Sequence, residues 1–168
     1  MVNQQEFLSL VNQNQGIIHK ICNLYGHSAT DREDLFQEIT IQLWRAYPKF
    51  RGESKFSTWL YRIALNTAIS DFRKQNRQVV TTELDQNLTE LAYTPYDYEK
   101  EEKLQWLYQA IRELPEIDKA IVILYLEDNS YEEMEAILGI NQNNLRVKMN
   151  RIKEKLRKQT KASAYGAG

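Results

Sequence analysis

Apolar positions recur at three- and four-residue spacing along most of the chain, and no stretch alternates apolar with polar over the length of a strand. The pattern therefore predicts helices joined by short turns. Phe7, Leu10, Val11, Ile17, Ile18, Ile21 and Leu24 predict a first helix or helix pair that ends near Gly26. Thr30-Asp31-Arg32-Glu33 reads as a capping box, and Leu35, Ile39, Leu43 and Trp44 give the next helix an apolar face up to Pro48. A third helix is expected from Ser57 to about Asn76, with Leu60, Ile63, Ala64 and Thr67 as its core stripe.

Residues 79–98 lose this periodicity, gain acids and contain Pro95, which marks a connector. Beyond it a helix is expected over Glu101–Glu113. Another is opened by Pro115 and runs to about Leu126, with Glu116 and Asp118 near its positive end. Ser130-Tyr131-Glu132-Glu133 is a second capping box, opening a short helix with Met134, Ile137 and Leu138 on one face. Gly139 breaks that helix and Asn141 can cap the last one, whose Leu145, Met149, Ile152 and Leu156 fall on one stripe. The sequence is thus expected to be all-α. Two small helical domains, 1–78 and 101–160, are joined by a flexible acidic linker, 79–100; the second domain contains a helix-turn-helix, and 161–168 form a disordered tail.

Composition sharpens this picture. The chain has 168 residues, 42% of them hydrophobic, enough to bury a core in each domain, which excludes an intrinsically disordered protein. The start shows no basic flank before an apolar run, and no stretch reaches the ~18 consecutive apolar residues of a membrane helix, so a soluble cytoplasmic protein is expected. Cys22 is the single cysteine, which suits a reducing compartment. The net charge of −1 hides an uneven distribution. Residues 1–78 carry 10 bases against 7 acids, 79–103 carry 2 against 7, and 141–168 carry 8 against the single acid Glu154.

That distribution directs attention to two faces. On the last helix Asn143, Arg146, Val147, Asn150 and Arg151 point away from the apolar stripe, with Lys148, Lys153 and Lys155 beside them. Amides pair with adenine edges and Arg with guanine in the major groove, while lysines serve phosphates. A solvated basic face would explain the charges alone, but the capped helix and Gly139 turn just before it favour DNA. In FRGESKFSTWLYRIALNTAISDFRKQNR, residues 50–77, the rings of Phe50, Phe56, Trp59, Tyr61 and Phe72 stand among Arg51, Lys55, Arg62, Arg73, Lys74 and Arg77. Singly, rings at Phe56, Trp59 or Phe72 read as core; taken together with the surrounding bases, the motif is balanced between core and platforms for stacking unpaired bases.

Other chemistry is poorly served. His19, Cys22 and His27 lie close in sequence, yet without a zinc spacing or an evident fourth ligand, so no metal is expected. No catalytic motif, phosphate loop or cofactor fingerprint occurs, and no catalytic residue or cofactor is expected.

Three blocks in order resemble the extracytoplasmic-function sigma factors of the sigma-70 family: DREDLFQEITIQLWRAYPKF, FRGESKFSTWLYRIALNTAISDFRK and LPEIDKAIVILYLEDNSYEEMEAILGINQNNLRVKMNRIKEKLRK. The resemblance implies a non-enzymatic initiation factor with bacterial core RNA polymerase (its beta-prime clamp and beta flap), promoter DNA and an anti-sigma factor as partners. It implies polymerase contact by Asp34, Gln37, Glu38 and Trp44. It implies that the loop Arg51–Phe56, with Gly52, Ser54 and Lys55, forms a pocket for a flipped base of the minus-ten element. Trp59 and Tyr61 would lie beside the fork, and Asn66, Arg73 and Lys74 would hold the strand. The minus-thirty-five element would be read by Asn143, Asn144, Arg146, Val147, Lys148, Asn150 and Arg151. One departure stands out: the family pattern has Ala then Glu after the apolar residue of the motif's first helix, whereas Met134 is followed by Glu135 then Ala136.

Two other readings predict different partners. A sigma mimic would keep the fold to sequester an anti-sigma protein, but should lack the basic outer face carried by Arg146, Lys148 and Arg151. A conventional helix-turn-helix regulator accounts for the C-terminal motif and leaves the first two blocks unexplained. The acidic linker is expected to lie near the basic faces in the free protein and to weaken its DNA binding.

Overall fold

A computed structural model describes residues 3–78 and 102–166, with side chains from 3–75 and 106–159. The chain divides into two compact units, Met1–Ala92 and Tyr93–Gly168. The division falls inside the segment expected as the linker, which lies outside the described residues, as does the expectation that its acids shield the basic faces.

Unit 1 has helices α1 (Gln4–Gln13), α2 (Gln15–Tyr25), α3 (Ala29–Ala46) and α4 (Phe56–Gln78), with a 3-10 turn at Tyr47–Lys49. The expected first segment is a helix pair because Asn14 turns inward on the chain before it. Its side-chain amide donates to the Leu10 carbonyl at 2.8 Å, closing α1. The cap of α3 is Ser28, whose hydroxyl accepts from the Asp31 amide at 3.0 Å, so the helix starts earlier than the Thr30–Glu33 box suggests. Gly26 is required by close approach: a Cβ there would meet the Arg32 Cγ at 2.7 Å.

Helices α2, α3 and α4 pack on one another around Ile18, Ile21, Leu35, Ile39, Leu43, Leu60, Ala64 and Ala68. The buried face of α4 is Leu60, Tyr61, Ala64, Leu65, Ala68 and Ile69, rotated by roughly 100° from the expected stripe at 100° per residue. Ile63 and Thr67 stand half-buried at its edge. The burial arc is wide because α4 is covered by two helices, α2 and α3.

Unit 2 has α5 (Glu102–Arg112), α6 (Glu116–Leu126), α7 (Tyr131–Leu138) and α8 (Gln142–Gly166). Leu145, Met149, Ile152 and Leu156 of α8 are all buried, as the stripe predicted, and α5, α6 and α7 pack against that helix. Residues 161–166, expected as tail, continue α8, with their side chains outside the described residues. Ser130 caps α7 by accepting from the Glu133 amide at 3.1 Å. Gly139 ends α7 in the left-handed region, φ +73°, which a side chain rarely adopts. This turn sets α7 and α8 as a helix-turn-helix. Lys119 of α6 is buried, and desolvation lowers its pKa against the opposing pull of Glu116.

Candidate nucleic-acid interface

In unit 1, the 3-10 turn and α4 are joined by a loop in which Arg51, Gly52, Glu53, Ser54 and Lys55 are all exposed. Gly52 has φ +73°, the conformation that lets the loop reverse without a side chain, and open space surrounds it. Half-buried rings flank the loop. Phe50 lies 5.0 Å from Trp59 and 5.7 Å from Phe56, and Phe56 lies 5.3 Å from Trp59. Tyr47 joins them at 6.2 Å from Trp59, and buried Phe7 connects Tyr47 (5.1 Å) to Trp44 (5.0 Å). The rings thus serve partly as one another's support and partly as surface. From Trp59 an exposed stripe continues along α4 through Arg62, Asn66, Ser70 and Arg73, all within one arc of about 80° and opposite the buried face. Lys74 is exposed beside it. Tyr61 must be corrected: at 4% exposure its ring lies in the core and offers no face to a base.

Asp34, Gln37, Glu38 and Trp44 share the outward arc of α3, where the buried row is Leu35, Ile39 and Leu43. Trp44 therefore belongs to the surface rather than to the apolar face on which the periodicity put it; it is 41% exposed. Ile41, 44% exposed, sits on the same arc, and residue type gives no sign of it because isoleucine is usually buried. The acids of this helix act across to α4. Burial raises the pKa of Asp71, and the charges of Asp31, Glu38 and Asp34 raise it further, against Lys74.

In unit 2, α8 presents Asn143, Asn144, Arg146, Val147, Asn150 and Arg151 on its exposed side, with Lys148 half-buried. Val147 is 49% exposed, an apolar group held out on a polar helix and able to meet a thymine methyl. The N-terminus of α8 is capped twice. Asn141 accepts from the Asn144 amide at 2.8 Å, and the Glu135 carboxylate accepts from the Gln142 amide at 3.0 Å. The departure from the family pattern at Glu135 is thus a capping group, and Ala136 takes the exposed position beside it. Two tyrosines hold cations of the outward face. The Arg146 guanidinium stands 5.0 Å over the Tyr131 ring, and the Lys153 ammonium stands 4.5 Å over Tyr125 and donates to its hydroxyl at 2.9 Å. Neither tyrosine is distinguishable in sequence from a core residue.

The residues considered for a metal are occupied otherwise. His19 stacks on Phe36 at 4.9 Å and His27 packs on Phe72 at 5.6 Å. Cys22 is buried, and desolvation pushes its thiol up to about 12, with Arg32 pulling the other way. Among the described residues no group of three His, Cys, Asp or Glu side chains could hold an ion. No helix among them is long and apolar enough to cross a membrane.

Comparison with known proteins identifies both units. Sigma-70 region 2 matches residues 10–78 and Sigma-70 region 4 matches residues 104–156. The chain is 34% identical to the ECF RNA polymerase sigma-E factor of Escherichia coli, over 81% of this chain and 78% of the relative. The chain belongs to the extracytoplasmic-function sigma factors. It is a sigma factor that directs transcription by RNA polymerase, and the helix-turn-helix of unit 2 is sigma region 4. A further relative is the RNA polymerase sigma-H factor of Pseudomonas aeruginosa, 32% identical over 83% of this chain and 80% of the relative. The sigma fold recurs in the RpoE sigma factor solved with the anti-sigma factor NepR from Bartonella quintana. That chain has a TM-score of 0.71 and 23% identity, with 94% of this chain and 96% of that chain covered. CnrH, solved with the cytosolic domain of CnrY, has a TM-score of 0.68 and 20% identity over 95% and 90% of the two chains.

Proposed function

We propose that this sigma factor divides promoter recognition between its units and acts by binding alone, without catalysis, in the cytoplasm where its polymerase works. Unit 1, assigned to 1–78, would dock on the polymerase clamp through Asp34, Gln37, Glu38, Ile41 and Trp44 of α3. It would capture the unpaired minus-ten strand with Arg51, Gly52, Ser54, Lys55, Phe56, Trp59, Asn66, Arg73 and Lys74. Unit 2, assigned to 101–160 and placed at the beta flap, would read the minus-thirty-five duplex with Asn143, Asn144, Arg146, Val147, Lys148, Asn150 and Arg151. The observation that carries this reading is the junction of an exposed Gly52 loop, half-exposed rings and a cationic stripe on one surface of unit 1. Each base stacked on a ring is worth about 1–3 kcal/mol, which offsets the few kcal/mol needed to unstack it from the duplex. The anti-sigma complexes of the two solved neighbours support a protein partner of that kind here as well.

The test is run-off transcription by sigma-free bacterial core polymerase on genomic fragments of the source organism, with and without the protein. Discrete new transcripts are expected, and their aligned upstream sequences give both promoter elements. Phe56→Ala with Trp59→Ala should lower promoter melting, read by permanganate reactivity, at least about tenfold while core binding persists. A protein that binds neither core polymerase nor promoter DNA would leave the sigma mimic as the reading; DNA binding without core binding would leave the conventional regulator.

A further inference from the structure

Tyr131 belongs to neither DNA-facing set, yet its ring carries the Arg146 guanidinium at 5.0 Å. The Arg146 Nη1 also donates to the Asn143 Oδ1 at 3.3 Å. The guanidinium therefore has two contacts, a ring from α7 and an amide oxygen from its own helix. The ring is itself fixed by the motif: Tyr131 is the first residue of α7 after the Ser130 cap, and Met134, one turn on, is buried. Arg146 stands in the second turn of α8, the part of a recognition helix that meets base edges. A free arginine loses much rotamer freedom when it docks, and a guanidinium already oriented loses less and presents its fork at one angle. Lys153 is held in the same manner by Tyr125, but an ammonium is a point charge suited to phosphate, whereas a planar fork pairs with the two acceptors of guanine.

We propose that Tyr131 is a specificity-determining positioning residue, whose ring orients Arg146 toward a guanine in the upstream promoter element; this rests on the reading of α8 as the base-reading helix. It touches no base itself. The cation–π contact at an exposed site corresponds to about a two- to fivefold preference.

The test uses the full chain assembled with core polymerase and a pool of promoters randomised in the upstream element, with the bound fraction sequenced. Arg146→Ala should abolish a guanine preference at one position. Tyr131→Leu and Tyr131→Met, two replacements that keep bulk without a ring, should weaken that same preference about two- to fivefold and leave the other positions and the salt dependence unchanged. Tyr131→Phe should retain it, and Tyr131→Leu added to Arg146→Ala should change nothing more. A uniform loss over all sequences, a Phe variant that behaves like Leu, or an effect that survives in the Arg146→Ala background overturns the proposal. If Arg146→Ala removes the preference and the ring-less variants do not, the proposal alone fails. If Arg146→Ala leaves every preference intact, the reading of α8 fails with it.

Discussion

Replacing Glu135 by Ala restores the family's pattern at that position, and such a change toward a common residue ordinarily stabilises by ~0.5–2 kcal/mol. The structure predicts the opposite. Glu135 accepts from the part-buried Gln142 amide at 3.0 Å, one of the four N–H groups that α8 cannot satisfy within itself. Losing a cap costs about 1 kcal/mol, and losing a negative charge at the positive end of a helix costs about 0.3–1 kcal/mol more. Ala recovers a few tenths of a kcal/mol in helix propensity, and Asn141 still satisfies the Asn144 amide. The net expectation is a loss of about 1 kcal/mol in unit 2, or about 4–8 °C in its Tm. Glu135→Gln keeps an oxygen acceptor without the charge and should cost about half as much. The assay is thermal unfolding combined with hydrogen exchange of the peptide spanning residues 142–146, whose protection should fall in the order Glu, Gln, Ala. An Ala variant as stable as the parent, with unchanged exchange at that peptide, would refute the capping role and make Glu135 a tolerated departure only.

Two further outcomes follow from titrating groups of unit 1. Folding holds the Asp71 proton more tightly than the unfolded chain does, through burial and then the charges of Asp31, Glu38 and Asp34. The stability this contributes is complete below the ordinary aspartate pKa and is lost as pH rises through the raised folded value. Asp71→Asn should therefore stabilise unit 1 at pH 7 by about 0.5 kcal/mol for this half-exposed site, a gain that vanishes by about pH 3; urea melts showing a pH-independent difference would sink the argument. Cys22, 2% exposed with its thiol pushed up to about 12, should react with a disulfide reagent only as unit 1 opens, faster in urea as unfolding proceeds. Full labelling of the native protein within the mixing time excludes that packing.

Periodicity made the helices and the α8 stripe legible because one face of that helix meets its neighbours and the other faces away. It misplaces the α4 face for the converse reason: two partners bury a wider arc, and Ala68 counts as only weakly apolar although it is fully buried. Trp44 reads as part of the apolar face because periodicity ranks a large apolar side chain by spacing alone, while the row Leu35, Ile39, Leu43 already fills the available contact. The residues proposed to face DNA are legible as a motif, but their support is not. Phe7 joins the ring cluster from 37 positions away from Trp44, and Tyr131 reaches Arg146 only because Gly139 folds α7 back beside α8. Such contacts depend on tertiary geometry that no local spacing encodes.

The same geometry divides the charge of unit 1 between two helix faces. Within unit 1 the outward arc of α3 carries Asp34 and Glu38 with exposed Ile41 and Trp44, while the α4 stripe carries Arg62 and Arg73 after the Trp59 ring. An acidic face with apolar residues suits a basic protein surface and repels a phosphate backbone, whereas a cationic stripe that begins in rings suits a strand with unpaired bases. On the proposed reading, placing the two chemistries on different helices would let one small unit hold both partners at once without competition between them. A more basic α3 would attract phosphate to the very face proposed for the polymerase. On this argument the information lies in which helix face bears each sign rather than in the total of −1, whose acid excess sits in residues 79–103.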